Sequence, residues 1–201
     1  KVFGGFKFFE RKEIKDVLSY MRIIHNKYDS EAFIRALNTP TRRGIGDATV
    51  NKLRDLSAEY GIPMLEVISD ERNLDSLSPS LRAKLYGFYQ DIEGLQNLAR
   101  LPISEFVHKL LDIMQFRQVY IDAGEDERAA NIDEFEASVI EFQQANPQSD
   151  LQDYLETVSL DNEASDENDG DFITIATIHA VKGLEYKVVY IEGLEEGVVP
   201  S

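Results

Sequence analysis

Apolar positions between Glu10 and His25 recur at three- and four-residue steps: Ile14, Val17, Leu18, Met21 and Ile24. That spacing puts them on one stripe of a helix. Asp29 or Ser30 can cap a second helix, with Phe33, Ile34 and Leu37 on its apolar face. Asn38-Thr39-Pro40-Thr41 ends it, because proline disfavours helical geometry in the residue before it. A third helix is expected over 47–60, stopped by Gly61-Ile62-Pro63. Ser78-Pro79 opens a long amphipathic segment over 79–99, with Leu81, Leu85, Phe88, Ile92 and Leu95 on one side. The same period recurs from Ile103 to Met114 and from Ala129 to Gln144, and a shorter helix is expected at 149–158.

The two ends have another texture. Val2 to Phe9 is aromatic and β-prone around Gly4-Gly5, which reads as a strand or hairpin edge. Phe172 to Ile178 and Lys187 to Ile191 have the look of buried strands. Before them, Asp161 to Asp171 holds no apolar residue except Ala164, and a flexible acidic loop is expected there. Two or three lone strands cannot bury a parallel sheet. The economical arrangement is mainly α with a small α/β part: a helical domain inserted between two pieces of a sheet domain. Most of that sheet would lie outside these 201 residues, which then are an excerpt of a longer chain.

Composition is globular, with 43% apolar and 29% charged residues and no run long enough to span a membrane. The lack of cysteine excludes disulfides, thiol catalysis and Cys-based zinc sites. The formal net charge of -16 argues at first against a nucleic-acid partner. Its distribution reverses that. Residues 1–60 hold 12 Lys/Arg against 8 Asp/Glu, whereas residues 122–171 hold 17 acids and only Arg128. The acidic segment carries the whole excess and is expected to face away from DNA.

Between the two expected strands lies Thr177-Ile178-His179-Ala180-Val181-Lys182-Gly183-Leu184-Glu185-Tyr186. Loops leaving the carboxyl end of a strand are where α/β sheets bind ligands, although a tight βαβ connection would need no ligand. A second candidate is Pro40-Thr41-Arg42-Arg43-Gly44-Ile45-Gly46-Asp47. Gly-Ile-Gly before an Asp that can cap a helix offers free backbone N–H groups to an anion, and phosphate is the natural ligand. Arg42, Arg43, Lys52 and Arg54 surround it with the charge that duplex binding needs. The plainer alternative is a helix–turn–helix corner that needs glycines for tightness. Asp133-Glu134-Phe135-Glu136 lies within a helical pattern and is expected to be a solvated helix face, and neither His25 nor His108 has a second metal ligand nearby.

The segment from Thr177 to Pro200 (T-I-H-A-V-K-G-L-E-Y-K-V-V-Y-I-x-G-L-E-E-G-V-V-P) resembles motif V of the UvrD/PcrA/Rep-type superfamily 1A DNA helicases. Gly4-Gly5-Phe6-Lys7-Phe8-Phe9-Glu10-Arg11-Lys12-Glu13-Ile14-Lys15-Asp16 is similar to their motif IVa, and residues 64–170 match in pattern more than in residues. The resemblance implies strips of a RecA-like (P-loop NTPase type) 2A domain at 1–24 and 172–201, a helical 2B domain over 25–160, and an acidic linker at 161–171. It implies that Glu185 meets the ATP ribose, with Gly183 beside it. It puts Arg11, Lys12, Thr177, His179 and Lys182 at single-stranded DNA; for Arg11 the alternative is a helix-start cation paired with Glu13 or Asp16. It makes Thr41, Arg42, Arg43, Gly44, Ile45, Gly46, Thr49 and Lys52 a duplex-binding element.

No G-x-x-x-x-G-K-[ST] occurs in these residues. The resemblance therefore implies a parent ATP-dependent 3′→5′ DNA helicase using ATP and Mg²⁺, serving DNA repair or replication in the bacterial cytosol or nucleoid. This piece would lack the Mg²⁺ ligands and any catalytic residue, and would not hydrolyse ATP alone. The competing expectations are a stand-alone helical DNA-binding module, and an interaction or autoregulatory module whose acidic 122–171 face docks a basic protein.

Overall fold

A computed structural model describes residues 8–166, the last six as backbone only, and Tyr190. The chain divides into compact units at Lys1–Glu167 and Asn168–Ser201. The segment at 2–7, the strand expected at 172–178, the strand expected at 187–191 apart from Tyr190, and the loop bearing Thr177, His179, Lys182, Gly183 and Glu185 lie outside the described residues.

Nine α-helices make up the described part of the first unit: α1 (Lys12–His25), α2 (Ser30–Ala36), α3 (Asp47–Tyr60), α4 (Met64–Val67), α5 (Pro79–Leu98), α6 (Ile103–Ile113), α7 (Phe116–Asp122), α8 (Asp126–Ala145) and α9 (Leu151–Asp166). No strand occurs among the described residues. The central element is α1, which packs against α2, α5, α8 and α9. Ile14, Val17, Leu18 and Met21 of its apolar stripe are buried and Ile24 partly so, and even Glu13, Asp16 and Ser19 are buried. The division expected after residue 24 thus falls at the end of a helix enclosed by four others.

Local chemistry explains several boundaries. The Asp29 carboxylate accepts the Ala32 N–H and caps α2. Gly61, at φ +66°, takes the left-handed conformation that ends α3. The Ser78 hydroxyl accepts the Leu81 N–H, and Pro79 supplies the first helical residue of α5. The core is aromatic at its centre: Tyr20 packs edge-on against Phe88 and Phe116, and Phe33 packs edge-on against Phe88.

Three features differ from the sequence-based expectation. Phe8–Glu10 is a 3-10 turn rather than the end of a strand, with Phe8 buried under α1. The stretch after Ile113 does not stay irregular: Gln115 adopts φ 55° and starts α7, which buries Phe116 and Tyr120. No glycine or proline marks that break, so periodicity alone could not place it. Asp161–Asp166, expected to be loop, continues α9, because nothing between Leu151 and Asp166 breaks a helix.

Tyr20 is buried, and its hydroxyl donates to the Thr39 carbonyl. Burial pushes this phenol up to about 12, with Arg43 partly opposing the rise. Burial pushes Tyr120 upward as well. A raised pKa favours the neutral phenol in the fold, so its stabilisation is complete below pH ~10, the unfolded value. It is lost as pH climbs from about 10 to about 12. Urea midpoints measured across this range should fall, and Tyr20→Phe should flatten part of that fall.

Candidate nucleic-acid interface

The loop from α2 to α3 is shaped by one side chain. Asn38 donates from Nδ2 to the Ile45 carbonyl at 2.7 Å and accepts the Ile45 N–H on Oδ1 at 3.0 Å. Ile45 itself is buried, so its N–H and C=O face inward and are spoken for. On either side of it the backbone is bare. Gly44 sits at φ +71°, where a side chain would be strained, and Gly46 is extended at φ -88°. Gly46 is the cap residue of α3, and its carbonyl accepts the Thr49 and Val50 N–H groups. Asp47, expected as the cap, is instead the first helical residue and accepts no capping bond. The N–H groups of Asp47 and Ala48 have no backbone partner, as the first turn of any helix dictates. With the macrodipole they form a positive end of α3 open to solvent.

The cations around this corner divide sharply. Arg43, expected to face phosphate, turns inward and its side chain is only 15% exposed. It bonds the Asp91 carboxylate at 2.9 Å and the carbonyls of Ala36, Leu37 and Thr39 at 3.2–3.4 Å, and it lies 5.0 Å over the Phe88 ring. Thr49 is buried on the inner face of α3 and is likewise withdrawn from the surface. Thr41, Arg42, Lys52 and Arg54 are exposed, and among the described residues none of the three cations makes an ion pair or side-chain hydrogen bond. One cation escaped the sequence reading. The Lys84 ammonium, from α5, lies 3.6 Å from where a Cβ on Gly44 would stand. Forty residues separate the two, and no local pattern links them.

The second expected site is only partly described. Arg11 precedes α1, and its guanidinium donates to Asn131 Oδ1, lies 4.0 Å from Glu134 and 5.3 Å over the Phe8 ring. The partners expected for it as a helix-start cation belong to others. Asp16 is held by Arg35 at 2.8 Å and by Lys12 at 3.5 Å. Glu13 accepts from Asn131 at 2.6 Å and lies 3.6 Å from Arg128. Both carboxylates are buried and therefore must be paired. Thr177, His179, Lys182, Gly183 and Glu185, the other expected single-strand and nucleotide groups, lie outside the described residues.

Asp133-Glu134-Phe135-Glu136 lies on α8, with Phe135 in the core. Asp133 and Glu136 clasp Arg117, and Glu136 also meets His108 Nδ1 at 2.6 Å. This face is helical as expected but ion-paired rather than merely solvated. Among the described residues no cluster of His, Asp and Glu could hold a metal ion. None of their helices is long and apolar enough to cross a membrane.

Comparison with known proteins adds a whole-chain match. Residues 1–201 match the UvrD-like helicase C-terminal domain. The chain is 35% identical over 214 residues to the ATP-dependent DNA helicase PcrA of Bacillus subtilis (strain 168), covering 99% of the chain and 28% of that protein. It is 34% identical over 211 residues to DNA helicase II of Haemophilus influenzae, covering 100% of the chain and 29% of the relative. For DNA helicase II of Escherichia coli (strain K12) the values are 33%, 209 residues, 100% and 29%. The chain thus spans under a third of the length of these relatives.

The Asn38 clasp sets the shape of the corner. Asn38→Ala should cost about 2 kcal/mol in chemical denaturation, because it strips partners from two backbone groups of a buried residue.

Proposed function

The chain belongs to the UvrD-like helicase C-terminal domain family, and from that premise we propose that it is the duplex-gripping part of an ATP-dependent 3′→5′ DNA helicase. The observation that carries this reading is the glycine corner. Bare backbone at Gly44 and Gly46 and unpartnered N–H groups at the start of α3 meet there, with exposed Arg42 two residues before Gly44 and exposed Lys52 on the second turn of α3, both unpaired among the described residues. N–H groups and cations of this kind bind phosphate oxygens and carry no base code, so the contact would position duplex DNA without reading its sequence.

In this reading residues 25–160 form the helical 2B domain inserted into a RecA-like 2A domain, whose strips lie at 1–24 and 172–201. Support comes from the whole-chain family match and from the two motif segments at the ends. Glu185 and Gly183 would serve ATP, with the Mg²⁺ ligands elsewhere in the longer enzyme. Arg11, Lys12, Thr177, His179 and Lys182 would meet the single strand, and Arg11 would then exchange Asn131 and Glu134 for phosphate. Repair or replication in the bacterial cytosol is the setting this implies. Docking of a basic protein on the acidic segment is less favoured, because Glu125, Asp133, Glu134 and Glu136 already have cationic partners.

Two outcomes test the proposal. Arg42→Glu with Lys52→Glu should weaken duplex binding, read by fluorescence anisotropy. The slope of log K against log salt should become shallower by about 2, with single-strand binding little changed. Equal loss for both DNA forms would refute a separate duplex contact. The 201-residue chain should also show no ATPase; turnover that disappears in Glu185→Ala would overturn the division of labour proposed for it.

A further inference from the structure

Resting on the duplex reading of the glycine corner, we infer that Lys84 is a further cation of that contact, brought to the same phosphate path from a separate helix. Its ammonium lies 3.6 Å from where a Cβ on Gly44 would stand, and it has no partner among the described residues. Gly44, being bare, leaves nothing between the ammonium and the loop backbone.

Cations without partners are the exception in this acidic protein. Among the described residues, 11 of the 17 Lys and Arg side chains make an ion pair. Arg117 alone has three carboxylates within 4.0 Å. The six that make none are Arg22, Arg42, Lys52, Arg54, Lys84 and Arg100. Arg42 and Lys84 flank Gly44 by sequence and by contact, and Lys52 lies on the second turn of α3. Asp47, the acid of the corner, pairs with none of them. Positive charge gathered at the positive end of a helix is unfavourable until an anion arrives.

Lys84 is also held in place by its helix. Lys84 and Asp91 are seven residues apart on α5, hence on one side of it. Asp91 receives Arg43, the residue before Gly44, so the Arg43 pin seats the loop along α5 and brings Gly44 beneath Lys84. The pin neutralises Asp91, which removes the carboxylate that would otherwise repel a phosphate nearby. A lysine ammonium is a compact point charge, suited to a backbone phosphate and not to bidentate reading of a base.

The test is the salt dependence of duplex binding by the full 201-residue chain, using a blunt oligonucleotide duplex of mixed sequence. Lys84→Ala should make the slope shallower by about 0.9, the share of one phosphate. Its affinity loss should then be roughly three- to fourfold greater at 50 mM than at 200 mM salt. Lys84→Arg should restore the slope. Arg100→Ala removes another unpaired cation, roughly 24 Å farther along the line of α5, and should leave the slope unchanged. An unaltered slope in Lys84→Ala, with binding still weakened by Arg42→Glu, would remove Lys84 from the contact and leave the corner standing. Equal effects of Lys84→Ala and Arg100→Ala would mean diffuse attraction and would overturn the assignment. Absence of duplex binding by the unaltered chain would sink the duplex reading and the Lys84 assignment together. Lys84 is exposed and touches no polar partner, so circular dichroism melts should match in all variants.

Discussion

The inward-turned, largely enclosed guanidinium of Arg43 ties together the parts on which the corner depends. It joins the last carbonyls of α2 and the following loop to Asp91 of α5, and it lies on the ring of Phe88 at the centre of the aromatic core. Those carbonyls sit at the negative end of a helix dipole, where a cation is favoured. A charge this deep persists only when its donors are met, and Arg43 meets carbonyls, a carboxylate and the Tyr20 hydroxyl. Core packing and loop geometry therefore share one residue. Arg43 fixes where the loop lies, and Asn38 fixes how it turns.

The same economy governs charge over the described surface. Acids on α8 tie down Arg11 and Arg117, Arg128 of α8 meets Glu13 of α1, and buried Asp16 and Glu13 bind α1 to its neighbours. Part of the acidic complement thus joins one helix to another. Among the described residues, unpaired Arg42 and Lys84 both lie beside Gly44, so a chain of net charge -16 still carries exposed positive charge at the glycine corner.

Much of the helical plan was legible in the chain itself. The stripes of α1, α5, α6 and α8, the extent of α3, and the caps at Asp29, Ser78 and Gly61 follow from spacing and local hydrogen-bond chemistry. What escaped was governed by partners distant in sequence. The turn at Gln115 is set by burial of Phe116 against Tyr20, and α9 extends through polar residues that looked like a loop. The two adjacent arginines show the limit most clearly. Arg42 and Arg43 are chemically equal in a sequence, yet Arg42 is exposed and Arg43 turns inward. Only the position of Asp91 and Phe88 decides which one is consumed.

By itself, then, the sequence determined the helical class, the place of the glycine corner and the family, because period, turn chemistry and motif spacing are local properties of a chain. Tertiary structure alone decided which cations stay free, because pairing depends on groups brought together from far along it. It withdrew Arg43 and Thr49 from the surface, engaged Arg11 with α8, and set Lys84 beside a glycine forty residues away. Packing of α5 along the loop supplies the physical reason: it joins one arginine to its acid and leaves one lysine with none.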